Sequence, residues 1–231
     1  DLYCNIHRPN DFNSKQKYPA VVLVPGGSGD GETFNKNGRA QRFAELGFIV
    51  MRFDPDGRGN STNNGSYNYE DYNGYIQQDG LREVVQYLAD LPETDDANIG
   101  IFTFSYGITM GAGTLGRYNQ TPPVKFLIDW EGPADRSDTA WPNGHVEHDV
   151  NDDLWWYEHE PTNFIDDYKG YFLVLQSEVD HVQSDNEHSI KLNNAGTNIN
   201  YGGAGNCLWT RVNSETGITD NLPNSIYSMI N

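Results

Sequence analysis

Short apolar runs recur along the chain, each closed by turn residues and separated from the next by a helix-length segment. Tyr18–Gly27, Gly47–Gly57, Asn98–Ser105, Val124–Gly132, Gly170–Glu178 and Cys207–Asn213 all read as strands, and the opening LYCNIHRP is strand-like as well. Most of these runs are almost continuously apolar rather than alternating. That pattern belongs to a sheet covered on both faces, which means parallel strands joined by crossover helices.

Helix periodicity fills the gaps. In Asp79–Leu91, the residues Leu81, Val84, Val85 and Leu88 fall at i, i+3, i+4 and i+7, and Pro92 stops the pattern. Thr33–Leu46, the Gly- and Ala-rich Tyr106–Tyr118 and Asp185–Ala195 are the other helix candidates. The predicted architecture is a single α/β domain over residues 1–231, with a mostly parallel central sheet and helices on both faces. The stretch 132–170 breaks the rhythm. It is long, acidic and aromatic, and a segment of that kind between two sheet strands is expected to be a lid-like insertion over a site.

Composition narrows the partners. With 33 acidic against 15 basic residues the formal charge is -18, which repels phosphate backbones and anionic lipid, so neither nucleic acid nor a membrane surface is expected as a partner. No apolar run is long enough to span a bilayer. Abundant Asn, Tyr, Trp and Gly with few Lys favour an exported protein, secreted or periplasmic, from which an upstream segment has been removed. Cys4 and Cys207 are either two thiols or one disulfide, and spacing alone does not decide.

Candidate chemistry begins at Ser105. The stretch GIFTFSYGITMG (Gly100–Gly111) carries a buried strand straight into a Gly-rich helix, with one serine at the junction. This is how a nucleophile is presented at a sheet edge, whereas an ordinary serine there would only cap the helix. In strand–helix order and in three motifs the chain resembles the α/β-hydrolases, closest to the small dienelactone-hydrolase and prolyl-oligopeptidase-like esterases. The likeness runs from Asp1 to about Asn213. TFSYG (Thr103–Gly107) stands where the family has Gly-x-Ser-x-Gly, with Thr103 in place of the first glycine. VLVPGGSGDG (Val22–Gly31) stands where the family's loop donates to an oxyanion, which implies Gly27 N–H as one donor and Tyr106 N–H as the other. One such donor supplies about 3 kcal/mol of barrier lowering. No Gly-Lys-Ser/Thr follows this loop, so it is not read as a phosphate cradle. RFDPDGRGNS (Arg52–Ser61) resembles a structural turn of the family, ordered by Asp54 and Arg58.

The family places its histidine after the last strand, and none of the six histidines lies beyond Cys207. A serine hydroxyl needs an imidazole to take its proton, and the imidazole needs a carboxylate to hold its tautomer. The loop LQSEVDHVQSD (Leu175–Asp185) follows a predicted strand and resembles the family's acid loop. His181 is therefore the expected base, with Glu131, leaving the neighbouring strand, as its acid; acid placement after that strand is a variant known in the fold. Asp180 is the alternative acid. His188 is the second choice of base, more simply read as a solvated helix residue.

The insertion holds His145, Glu147, His148, Asp149, Asp152 and Asp153, a density of donors that suits Ca²⁺ or a transition metal. Neither a twelve-residue EF-hand pattern nor HExxH occurs among them, so a solvated acidic face is the reading and no metal or cofactor is expected. Trp141, Trp155, Trp156 and Tyr157 either pack the insertion or line a pocket. The expected function is a serine hydrolase acting on small-molecule carboxylic esters. Esters are preferred because no partner domain that restricts peptide access is evident. A peptide or amide hydrolase with the same site, and an inactive binding protein of the same fold, are the alternatives.

Overall fold

The computed structural model describes residues 1–61, 70–118, 123–177, 180–183 and 187–196, together with the backbone of 207–212. The predicted ends at Glu178 and Asp185 and the side chain of Cys207 lie outside the described residues. Seven strands form one sheet: β1 (Cys4–His7), β2 (Tyr18–Val24), β3 (Ile49–Phe53), β4 (Thr94–Phe104), β5 (Phe126–Trp130), β6 (Tyr171–Ser177) and β7 (Cys207–Val212). Their order is β1-β3-β2-β4-β5-β6-β7. Only the edge strand β1 is antiparallel, paired with β3, and every other pairing is parallel.

The continuous apolar runs are explained by two cores. In β2, Ala20, Val22 and Val24 face one core and Val21 and Leu23 the other, all fully buried. The first core is covered by Leu81, Val84, Val85 and Leu88 of α3 (Tyr75–Asp90), by Ile108, Met110, Ala112 and Leu115 of α4 (Gly107–Arg117), and by Leu192 of α7 (Glu187–Gly196). The second is covered by Phe34 of α1 (Glu32–Lys36) and by Ala40 and Ala44 of α2 (Arg39–Glu45).

Several boundaries differ from those read in the sequence. The helix predicted over Thr33–Leu46 is two short helices, because Gly38 between them adopts φ +71° and turns the chain. α3 starts four residues before the predicted Asp79. Its first turns bury Gln77 and Gln78, whose amides donate to Asp56 O, Asn73 O and Glu158 O. A polar first turn of this kind is invisible to hydrophobic periodicity.

The insertion at 132–170 is not one piece. Its first part holds α5 (Arg136–Thr139) and α6 (Asp153–His159), and packs Ala140, Val146 and Trp156 around Tyr106. Its last part contributes Ile165 and Tyr168 to the main core, with Tyr168 Oη donating to Val124 O at 3.1 Å. Cys4 is a free thiol. β1, which carries Cys4, and β7 are opposite edges of the sheet, roughly 30 Å apart at the usual strand spacing. Among the described residues no helix is long and apolar enough to cross a membrane.

Candidate active site

Strand register builds the site. Phe104 of β4 pairs with Trp130 of β5, and Trp130 pairs with Leu175 of β6. The next residues, Ser105 and Glu131, therefore leave two neighbouring carboxyl ends in one row, level with Gln176 of β6. Ser105 N–H donates to Trp130 O at 2.7 Å and Glu131 N–H to Leu175 O at 3.0 Å, which extends the ladder one step past the strands. The chain runs from β2 to one side and later returns to the other. This places the row at the switch point where open α/β sheets take ligands.

Ser105 sits on a sharp turn at φ +50°, a conformation that costs a non-glycine residue about 1–3 kcal/mol and is held by its surroundings. Small residues make room for it. A Cβ on Gly26 would lie 2.6 Å from Phe104 O and 2.9 Å from Ser105 Cβ, and one on Gly107 would lie 2.5 Å from Pro25 O. The loop after β2 is thus pressed against the serine turn, and both glycines are needed for that approach.

Thr103, where the resemblance calls for glycine, is accommodated from the other side. Its Cγ2 lies 2.6 Å from where a Cβ on Gly111 of α4 would be. Its hydroxyl donates to Asp129 Oδ1 at 2.7 Å. Asp129 is fully buried, and burial pushes its carboxyl up to about 7 against the hydrogen bonds from Thr103 and from Gly132 N–H. One carboxylate therefore ties the strand entering the Ser105 turn to the turn that carries Glu131.

His181 completes the arrangement expected from sequence. Its Nε2 is 2.9 Å from Ser105 Oγ and its Nδ1 is 2.6 Å from Glu131 Oε2. Glu131 also lies at positive φ, +54°, and its Oε1 accepts from Ser177 N–H at 3.2 Å. Burial opposes the charge on Glu131, but the bonds from His181 and Ser177 hold its carboxyl below the usual range. The bond to Glu131 raises His181 against partial burial.

Asp180 stands farther from the imidazole than Glu131 does. Its nearer oxygen is 3.6 Å from His181 Nδ1, a full ångström beyond Glu131. It instead accepts from Val182 and Gln183 N–H (2.8 and 2.9 Å) and from Gln176 Nε2 (2.9 Å), folding the loop that carries His181. Its remaining partner corrects the reading of His188 as a solvated residue. His188 is 1% exposed, with Nε2 3.1 Å from Asp180 Oδ2 and Nδ1 3.0 Å from Gly132 O. Both ring nitrogens face acceptors, which favours the doubly protonated ring and raises His188 against its burial. It is bound behind the row and does not reach Ser105. The burial of His188 follows from helix phase: it shares a face with Leu192, four residues on.

Gly27 and Tyr106 flank Ser105, and among the described residues their N–H groups have no protein acceptor. Both line a space of about 70 Å³ that opens to solvent beside Ser105 and is walled by Tyr72, Pro133, Val146, Val182 and Gln183 among others. Tyr72 and Val146 were not singled out from sequence. Tyr72 sits at φ +58°, a local strain that no residue pattern announces. A wider groove of about 690 Å³ lies beyond Tyr72, His145 and Val146, and is edged by Glu70, Glu147 and Glu158.

The acids of the insertion are used locally. Asp152 pairs with His148 at 3.0 Å and caps α6 through Trp155 N–H, while Asp149 accepts from Asn151. Trp156 is fully buried, Trp155 stacks between His148 and His159, and Trp141 and Tyr157 are exposed. Among the described residues Glu131, Asp180 and His181 bring donor atoms within 4.8 Å of one another. Those groups are engaged in the hydrogen bonds above. Asp54 and Arg58 order their turn as expected. Asp54 accepts from Gly31 and Asn60 N–H, and Arg58 donates to Glu70, Asn73, Gln77 and Gly29 O.

Comparison with known proteins fits this geometry. A family model described as X-Pro dipeptidyl-peptidase (S15 family) matches residues 1–163. A probable dipeptidyl-peptidase 5 of Aspergillus niger is 29% identical over 159 residues, 66% of this chain and 20% of that protein. Among solved structures, a putative dipeptidyl aminopeptidase IV from Bacteroides ovatus superposes with TM-score 0.69 at 19% identity, covering 91% of this chain and 30% of that one. Est1E from Butyrivibrio proteoclasticus, bound to ferulic acid, superposes with TM-score 0.70 at 17% identity, covering 99% and 92%. The chain spans a third or less of the curated relatives it matches.

Proposed function

The chain belongs to the S15 family of X-Pro dipeptidyl-peptidases, within the α/β-hydrolase superfamily, and from that premise we propose a serine hydrolase that cleaves small carboxylic esters. One observation carries the reading: a strained serine whose Oγ is 2.9 Å from an imidazole that a buried carboxylate holds at 2.6 Å.

The chemistry follows from those contacts. Ser105 Oγ attacks the ester carbonyl while its proton passes to His181 Nε2. Glu131 keeps Nδ1 protonated and stabilises the imidazolium that forms. The carbonyl oxygen, now negative, lies toward Gly27 and Tyr106 N–H. His181 returns the proton to the departing alkoxide, leaving an acyl-serine. Water then adds to that acyl group with His181 again as base, and the acid and free serine are released.

Ester cleavage is favoured over amide cleavage by the openness of the site. The His181 side chain is 45% exposed, and an alkoxide leaves with less protonation than an amine requires. The esterase Est1E is also matched over nearly its whole length. A peptidase with the same machinery is the second reading, favoured by the family description and by the dipeptidyl-peptidase relatives.

A fluorophosphonate probe followed by mass spectrometry tests the nucleophile. Adduct at Ser105, lost in His181→Ala, is expected; no adduct between pH 6 and 9 would leave an inactive binding protein of this fold. Parallel assays with 4-nitrophenyl esters and Xaa-Pro-4-nitroanilides separate the two substrate classes.

A further inference from the structure

The 70 Å³ cavity beside Ser105 is small enough to select a substrate. An apolar cavity of about 150 Å³ takes one benzene ring, so a space of about half that volume takes roughly two or three carbons. Resting on the reading of Ser105 as nucleophile, we propose that this cavity is the acyl subsite and that it admits acyl groups of two or three carbons, so the natural substrates are short-chain acyl esters.

Its position identifies which half of the ester it receives. The leaving alkoxide has to sit against His181 Nε2, which delivers its proton. His181 does not line the cavity, whereas Ser105, Gly27 and Tyr106 do. The space therefore opens on the oxyanion side of the serine, with Val182 and Gln183 of the His181 loop at its edge, and the acyl chain of a bound ester extends into it.

Two of its walls are held by the fold. Val146 is clamped by its N–H to Thr139 O at 3.1 Å and by Trp141 N–H to its own carbonyl at 3.0 Å, and is 7% exposed. Tyr72 is held in the left-handed region with its ring 5.5 Å from that of Tyr106. Tyr72, His145 and Val146 also line the 690 Å³ groove, and so form a partition between a small space and a large one. Trimming the partition joins the two.

The test is kcat/KM for 4-nitrophenyl acetate, propionate, hexanoate and octanoate, with Val146→Ala and Val146→Ile beside the parent protein. A methylene too many in an apolar pocket costs roughly 10- to 200-fold, so octanoate is expected to fall at least about 100-fold below acetate. Val146→Ala should gain on hexanoate and octanoate relative to acetate, a change that loss of folding cannot imitate. Val146→Ile should lose propionate more than acetate. 1-Naphthyl acetate should be cleaved and methyl octanoate should not. Octanoate cleaved as well as acetate, methyl octanoate preferred over naphthyl acetate, or chain-length ratios unmoved in both variants would overturn the subsite while Ser105 labelling left the nucleophile standing. Ester cleavage that persists in Ser105→Ala would instead overturn the nucleophile, and the subsite with it.

Discussion

Thr103 Oγ1 donates to Asp129 Oδ1 at 2.7 Å, and this one bond joins the strand that delivers Ser105 to the turn that delivers Glu131. Two residues at positive φ, Ser105 and Glu131, are thereby braced from a single buried carboxylate, which also accepts from Gly132 N–H at 3.0 Å. The departure from the family's glycine at 103 is part of this brace.

The brace has a steric partner in Gly111. Gly111→Ala places a methyl 2.6 Å from Thr103 Cγ2 and is expected to cost about 1–3 kcal/mol by overpacking. Thr103→Ser keeps the hydroxyl and removes Cγ2, so the double variant should recover most of that loss. Urea unfolding of the four proteins in the cycle checks it, and additive costs would rule out the contact.

Backbone strain at the serine is separable from its chemistry. Ser105→Gly and Ser105→Ala are both expected to be inactive, but only glycine relieves the φ of +50°. Ser105→Gly should therefore be about 1 kcal/mol more stable than Ser105→Ala by thermal unfolding.

The two acids near His181 should behave differently. Glu131→Gln removes the group that holds the Nδ1 proton, and kcat should fall by about 10⁴-fold with little change in KM. Asp180→Asn keeps Glu131 in place, so its kcat loss should be far smaller.

The pH dependence turns on the charges around His181. His181 faces Glu131 and Asp180, and His188 stands behind Asp180 with Asp138 and Asp129 nearby. The base must be neutral, so activity rises with pH through the raised His181 value. Removing the His188 cation should move that limb to higher pH in His188→Gln, and removing the Asp180 charge should move it lower in Asp180→Asn. Shifts of the same sign would refute the electrostatic account. Stability follows the same pair. Burial opposes the charge on each, and their mutual hydrogen bond with the other bonds described holds Asp180 well below the usual carboxylate range and raises His188. The pair's contribution is full between the ordinary Asp and His values, about pH 4 to 6.5. It fades as pH rises through the raised His188 value and as pH falls through the depressed Asp180 value. The stability gap between parent and His188→Gln should accordingly narrow above neutrality.

Arg58 should be structurally costly to remove. It is buried, and in Arg58→Ala the acceptors Glu70, Asn73 and Gln77 lose their donor beneath the Tyr72 wall. A loss of about 3–5 kcal/mol is expected by urea unfolding, with Arg58→Lys only partly restoring it because the fork of donors is gone.

Much of this was open to reading in one dimension because its causes are local. A strand buried on both faces must be apolar at every position, as β2 is from Ala20 to Val24. A tight turn must be flanked by small residues, which marks Gly26, Ser105 and Gly107. The need of a serine for an imidazole, with no histidine after Cys207, pointed to His181 and to Glu131 across from it.

Other features depend on where distant segments meet. That Glu131 reaches His181 more closely than Asp180, the sequence neighbour of His181, follows from strand register: Glu131 leaves β5 in the same row as Ser105, while the backbone amides of Val182 and Gln183 turn Asp180 inward. The burial of His188, the Thr103–Gly111 fit and the wall made by Tyr72 and Val146 each join residues 8 to 74 positions apart. Periodicity and turn chemistry reach only a few residues along the chain. Which side chains share a cavity is decided by packing between elements, and only the folded chain contains that information.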